Sequence, residues 1–234
     1  MPSNLHLFSS PGEKDIKDIV DACRPYLEKA DDASVAAVAY LPLASLYAER
    51  WLEMTEDAFK GLAHIRTVNT ELMALKEIEG IIREAAVVYV PGGNTFLLNH
   101  RLHASGLMPF LQKRIQAGLP LVGFSAGAIL CGPNILTSKD LNTVGTSFFN
   151  GLKAIPFNIS PHYPLDSHGQ SMKDEWLADY HFFHDNPVIL MCDDAHVKSE
   201  KGKTVLVSGE AYILRKDSEK ERLEISQLIK IGKT

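Results

Sequence analysis

Apolar residues in this chain fall into two kinds of pattern. Short, mostly apolar runs rich in Val, Ala and Leu occupy residues 5–8, 35–41, 65–68, 86–90 and 119–124, with His6 interrupting the first and Arg66 and Thr67 the third. Such runs predict strands buried on both faces, as in a parallel sheet. Between them apolar positions recur at helical spacing, as with Ile16, Ile19, Val20, Cys23 and Tyr26 in a helix over 14–29. Further helices are expected over 44–61 and 71–83, and over 95–117 as two segments broken near Gly106.

The second half reads differently. Residues 137–164 are loop-rich, with Asn142, Asn150, Gly151, Pro156, Pro161 and Pro164. A helix over 171–183 follows, then short strands over 188–191, 195–199, 204–208 and 211–214. Turns at 200–203 and 208–210 predict that the last strands form antiparallel hairpins. A final helix is expected over 218–230. Strands alternating with helices predict an α/β fold in three layers, with a largely parallel sheet, helices on both faces and a small antiparallel addition near 204–214.

Composition narrows the function classes. A length of 234 residues with 45% hydrophobic content suits one globular domain spanning 1–234. The 24 basic and 29 acidic residues give a net charge of −5, so no nucleic-acid partner is expected. No 18-residue apolar run exists, so no membrane span is expected. The first residues lack a basic stretch and a long apolar core, so no secretory signal is expected. Cys23, Cys131 and Cys192 are widely spaced and form no CxxC pattern. They read as reduced, buried thiols of a cytoplasmic protein.

One segment concentrates candidate chemistry. Gly123-Phe124-Ser125-Ala126-Gly127 follows the run 119–124 and precedes the helical start Ala128-Ile129-Leu130. A strand–turn–helix is the context in which G-x-S-x-G presents a nucleophilic serine. The amide of Ala126 and the helix N-terminus behind it then face any oxyanion. Pro91-Gly92-Gly93-Asn94-Thr95 follows the run 86–90. Its bare amides are candidate oxyanion donors, and a capped tight turn is the plainer reading.

A nucleophilic serine needs a base, and nine histidines are available. His162, in Ser160-Pro161-His162-Tyr163-Pro164, is framed by prolines that stiffen its loop. His168 is a minor competitor. His181 and His184 fall on a helix and read as surface or satisfied residues. Asp193 and Asp194 follow the run 188–191, where an acid could orient the base; a turn with two solvated carboxylates explains them equally well.

Together these segments resemble the peptidase E family, serine dipeptidases on a class I glutamine amidotransferase-like fold. The resemblance rests on Val90-Pro91-Gly92-Gly93-Asn94-Thr95-Phe96, Gly123-Phe124-Ser125-Ala126-Gly127-Ala128, Ile159-Ser160-Pro161-His162 and the acid after 188–191. It implies Ser125 as nucleophile, His162 as general base and Asp193, rather than Asp194, as third member. It also implies oxyanion or substrate-binding amides at Gly92, Gly93, Asn94 and Ala126. The implied reaction is hydrolysis of a small peptide through an acyl-enzyme, with no metal and no cofactor. A homo-oligomer stays open.

One departure concerns specificity. Family members that cleave after an N-terminal aspartate carry a Ser/Thr-Arg pair at the start of the helix after the His loop. Here Ser171-Met172-Lys173 occupies it, with Met172 at the Arg position. A thioether cannot pair with a carboxylate, although Lys173, Arg101 or Lys139 could supply a cation. An α/β-hydrolase esterase would order its triad Ser, acid, His. Here His162 precedes the acid, and His196 is the only later histidine. A cyanophycinase-like amidohydrolase, or a non-catalytic binding protein on the same fold, would also carry these segments.

Overall fold

A computed structural model describes residues 3–11, 16–29 and 36–231. The first five strands are β1 (Asn4–Phe8), β2 (Ala37–Tyr40), β3 (His64–Thr67), β4 (Val87–Val90) and β5 (Leu121–Phe124). They lie side by side in the order β3-β2-β4-β5-β1, all parallel. Helices α1 (Lys17–Leu27), α2 (Glu49–Ala58), α3 (Leu75–Glu84), α4 (Thr95–Ala104) and α5 (Leu107–Gln116) connect them.

Strand alternation sorts the core into two layers. Val38, Tyr40, Val87, Tyr89, Val122 and Phe124 pack on α1 through Ile19, Val20, Cys23 and Leu27. Ala39, Val88, Val90 and Leu121 face the other way, onto Ile78 and Ile82 of α3 and Leu111 and Ile115 of α5. Successive side chains of a strand point to opposite faces, so a wholly apolar run is what two helical layers require.

After β5 the chain makes the short helix α6 (Ala126–Ile129) and crosses a long loop to β6 (Asn158–Ser160). Helix α7 (Ser167–Phe183), β7 (Val188–Met191), β8 (His196–Glu200), β9 (Lys203–Ser208), β10 (Ala211–Leu214) and β11 (Glu221–Arg222) complete it. β8 joins β1 antiparallel and β9 extends that edge, giving seven strands. A second sheet runs β11-β10-β7-β6. Its Ile159, Ile189, Met191 and Ile213 enter the main core. Its Val188 and Leu190 pack with Leu177 and Tyr180 of α7.

Several expected boundaries shift for identifiable reasons. The helix expected over 44–61 begins only at Glu49. The carbonyls of Leu43, Ala44 and Ser45 are engaged by Arg101 and by the Asn94 amide, and are lost to helical bonding. The helix expected from residue 71 begins at Leu75, because Asn69 Oδ1 accepts from the amides of Glu71 and Leu72 and holds a turn there. α7 begins four residues early, at Ser167, where Asp166 caps the amide of Gly169.

The pattern did not predict β6, whose three residues lie between Pro156 and Pro161. β10 does not form a hairpin with β9. Gly209, at φ 77°, turns the chain against Asp194 and sends β10 to β7 instead. No helix forms over 218–230. Leu223 and Ile229 are buried there while Ser226 and Ile229 bond to Leu206 and Thr204 of β9. The expected starts at Lys14 and Val35 lie outside the described residues.

Candidate active site

The carboxyl ends of β1, β4 and β5 meet at Ser125. Its amide donates to the carbonyl of Phe8 at 3.0 Å, tying the turn to β1. Its backbone lies at φ 49°, ψ −110°, a strained conformation for a residue with a Cβ. Such a turn lifts the hydroxyl off the sheet at the strand's end.

The flanking glycines are required by contact. A Cβ on Gly127 would lie 2.1 Å from the carbonyl oxygen of Val90, and one on Gly123 would lie 2.8 Å from the Gly127 backbone. The tight turn therefore fits only without those side chains. A Cβ on Gly92 would reach 2.5 Å from the Phe124 ring and 3.2 Å from Ser125 Cβ, which puts the 91–94 loop directly beside the serine.

His162 stands on the loop after β6. Its Nε2 lies 3.0 Å from Ser125 Oγ, and its Nδ1 lies 2.6 Å from Asp193 Oδ1. With Nδ1 as donor to the carboxylate, Nε2 is the acceptor for the serine proton. The imidazole is 51% exposed and Asp193 72% exposed, so the site opens directly to solvent. Asp194 points elsewhere: its Oδ1 accepts the amide of Glu210 at 3.2 Å.

The expected oxyanion residues divide in two. Among the described residues, the amides of Gly93 and Ala126 donate to no protein acceptor. The amide of Asn94 is engaged at 2.8 Å by the carbonyl of Ala44. Asn94 instead builds the loop: its Oδ1 caps α4 at the Leu97 amide, and its Nδ2 donates to the carbonyl of Leu141. Asp140 takes part in the same joint, accepting from the amide and hydroxyl of Thr95, both at 2.7 Å. Sequence reasoning passed over Asp140, and its place near Thr95 is set by tertiary contact alone.

Other candidates are placed away from the chemistry. His168 is exposed on α7. His181 is buried with Nδ1 3.2 Å from the carbonyl of His184, and burial lowers its pKa. Cys23, Cys131 and Cys192 are fully buried, and desolvation raises each thiol pKa, so none is a ready nucleophile. Met172 is 59% exposed. Arg101 is committed to Glu71 and to the carbonyls of Leu43 and Ser45. Lys139 sits over the Trp176 ring. Among the described residues no cluster of His, Cys, Asp and Glu could hold a metal ion. None of the described helices is long and apolar enough to cross a membrane.

Fold and site together define a serine-type hydrolase built on a largely parallel α/β sheet. A family model described as Peptidase family S51 matches residues 6–207, and the chain belongs to that family of serine peptidases. A peptidase E of Nostoc sp. is 28% identical over 199 residues, 81% of this chain and 80% of that protein. A probable alpha-aspartyl dipeptidase of Drosophila melanogaster is 31% identical over 199 residues, 82% of this chain and 81% of that protein. The crystal structure of a peptidase from an acI-B1 Actinobacterium superposes with a TM-score of 0.71 at 18% identity, over 98% of this chain and 97% of that one.

Proposed function

We propose that this protein is a dipeptidase-like exopeptidase of the cytoplasm that hydrolyses short peptides through an acyl-enzyme. The carrying observation is the continuous hydrogen-bonded line Ser125 Oγ–His162 Nε2 and His162 Nδ1–Asp193 Oδ1. In this reading Ser125 Oγ attacks the scissile carbonyl as His162 Nε2 takes its proton. The imidazolium formed is stabilised by Asp193, and the oxyanion by the amides of Gly93 and Ala126. His162 then protonates the leaving amine, the amine departs, and the acyl group on Ser125 is released by a water that His162 deprotonates.

The Drosophila relative's name specifies an alpha-aspartyl substrate. For this chain, the position expected to hold a carboxylate-binding Arg carries Met172, while Lys173 is buried on the carbonyl of Pro161. Arg101 has its donors engaged elsewhere. A substrate aspartate therefore gains no bidentate partner from these residues. The test is a dipeptide panel assayed with wild type and Ser125→Ala. Turnover of dipeptides that Ser125→Ala abolishes is expected, with kcat/KM for Asp-Leu within about a hundredfold of that for Ala-Leu, or about 2.7 kcal/mol. Turnover of p-nitrophenyl esters without any dipeptide would favour an esterase. A larger Asp-Leu preference would show that a cation reaches the pocket after all.

A further inference from the structure

His162 is aimed at Ser125 from an uncommon backbone conformation, with φ at 55°. A left-handed residue with a Cβ persists only where its surroundings over-determine it. The peptide group between Pro161 and His162 sets that angle, and it is held on both of its polar atoms. Its N–H donates to Ser9 Oγ at 2.8 Å, and Ser9 in turn donates to the carbonyl of Met191. Its C=O accepts from Nζ of Lys173 on α7.

Lys173 is only 4% exposed, and among the described residues it forms no ion pair. Burying an ammonium without a paired acid is costly. Desolvation and the Lys139 charge bring its pKa down to about 8, against the opposing pull of Asp193. An apolar side chain would fill the same space without that cost, so the bond to Pro161 is what distinguishes a lysine here. The next residue of α7, Asp174, accepts from the Tyr163 hydroxyl at 2.7 Å, so consecutive helix positions grip both neighbours of His162.

We propose that Lys173 is a positioning residue: by donating to the Pro161 carbonyl it fixes the peptide plane that aims His162 at Ser125. This rests on the reading of His162 as the base. The readout is therefore labelling of the full-length protein by a fluorophosphonate, which reports nucleophile activation whatever the substrate. Wild type labelled and Ser125→Ala unlabelled establishes the site; failure of that control counts against the Ser125–His162 reading and not against Lys173.

Lys173→Met is expected to slow labelling and kcat by about tenfold or more, with KM changed less than about threefold, as misplacement of a catalytic group predicts. The ring resonances of His162 should move in the same variant. Lys173→Arg, which keeps a donor, should label within about tenfold of wild type. A folded Lys173→Met that labels at the wild-type rate overturns the proposal. Should Lys173→Met lose its cooperative thermal transition, Lys173→Arg decides. Labelling within that limit, with unchanged His162 resonances, upholds the proposal, and slower labelling overturns it.

Discussion

Two residues with side chains, Ser125 and His162, sit at φ 49° and 55° and are also the pair whose Oγ and Nε2 meet at 3.0 Å. Backbone strain of this kind costs about 1–3 kcal/mol per residue and persists where packing enforces it. Their third neighbour is a choice between adjacent acids. Asp193 faces the imidazole and Asp194 faces the Glu210 amide. Asp193→Asn should lower kcat by a factor on the order of 10²–10⁴, because an amide at that position no longer stabilises the imidazolium. Asp194→Asn should lower it by less than about tenfold, since a neutral oxygen can still accept from Glu210. Steady-state rates of the two variants check this, and the reverse ranking would move the triad to Asp194.

A pair of largely buried histidines, separate from His162, predicts acid sensitivity. His6 Nδ1 and His196 Nε2 lie 3.0 Å apart, and His6 Nε2 lies 3.1 Å from the Tyr26 hydroxyl. Burial brings the pKa of His6 down to about 4 and that of His196 to about 3. The unfolded chain therefore binds more protons once the pH falls below the ordinary histidine value of about 6.5, and stability drops with it. It is complete above that value and declines towards pH 4. Urea midpoints measured from pH 7 to pH 4 should fall over this interval. Titration of either ring above pH 6 in the folded protein would refute the account.

Among the elements, the turn after β5 and the loop after β4 are built against each other. Gly127 backs onto the carbonyl of Val90, and Gly93, at φ 131°, backs onto that of Ala44. Gly93→Ala meets both an unfavourable φ and a carbonyl oxygen 2.5 Å from the new Cβ. A loss of about 3 kcal/mol is expected, lowering Tm on the order of 6–12 °C for a chain of this size. Thermal unfolding of the variant checks it, and a Tm within about 2 °C of wild type would mean the loop can shift aside without loss.

How much of this was legible in the sequence depends on how local each signal is. Four of the five parallel strands and the break at Gly106, where φ is 76°, follow from buried runs and one glycine, while β3, part-exposed at the sheet edge, follows a weaker pattern. Ser125 and the Gly92-Gly93 loop were legible because glycine marks close backbone approach. The segment 218–230 misled because its apolar residues sit near helical spacing while its backbone bonds go to β9 and β10. The start of α2 was hidden for the same reason: Arg101, 56 positions away from Ser45, claims that carbonyl. The engaged amide of Asn94 depends on the same distant strap.

At the scale of the whole molecule, the proposed nucleophile and base belong to different sheets. Ser125 follows β5 of the seven-stranded sheet, while His162 follows β6 and Asp193 follows β7 of the four-stranded one. α7 packs on the smaller sheet through Leu177 and Tyr180, and Lys220 joins Asp174 of α7 to the Tyr163 hydroxyl. β1 lies between β5 and β8, so the earliest of these strands is held on both sides by later ones. Translation delivers residues in order, and the ribosome must release β7 and the start of β8 before Asp193, His162 and Ser125 can assemble. On the proposed triad, a nascent chain stays inactive until those late strands have emerged, and the proteins growing beside it on a polysome meet the competent form only then.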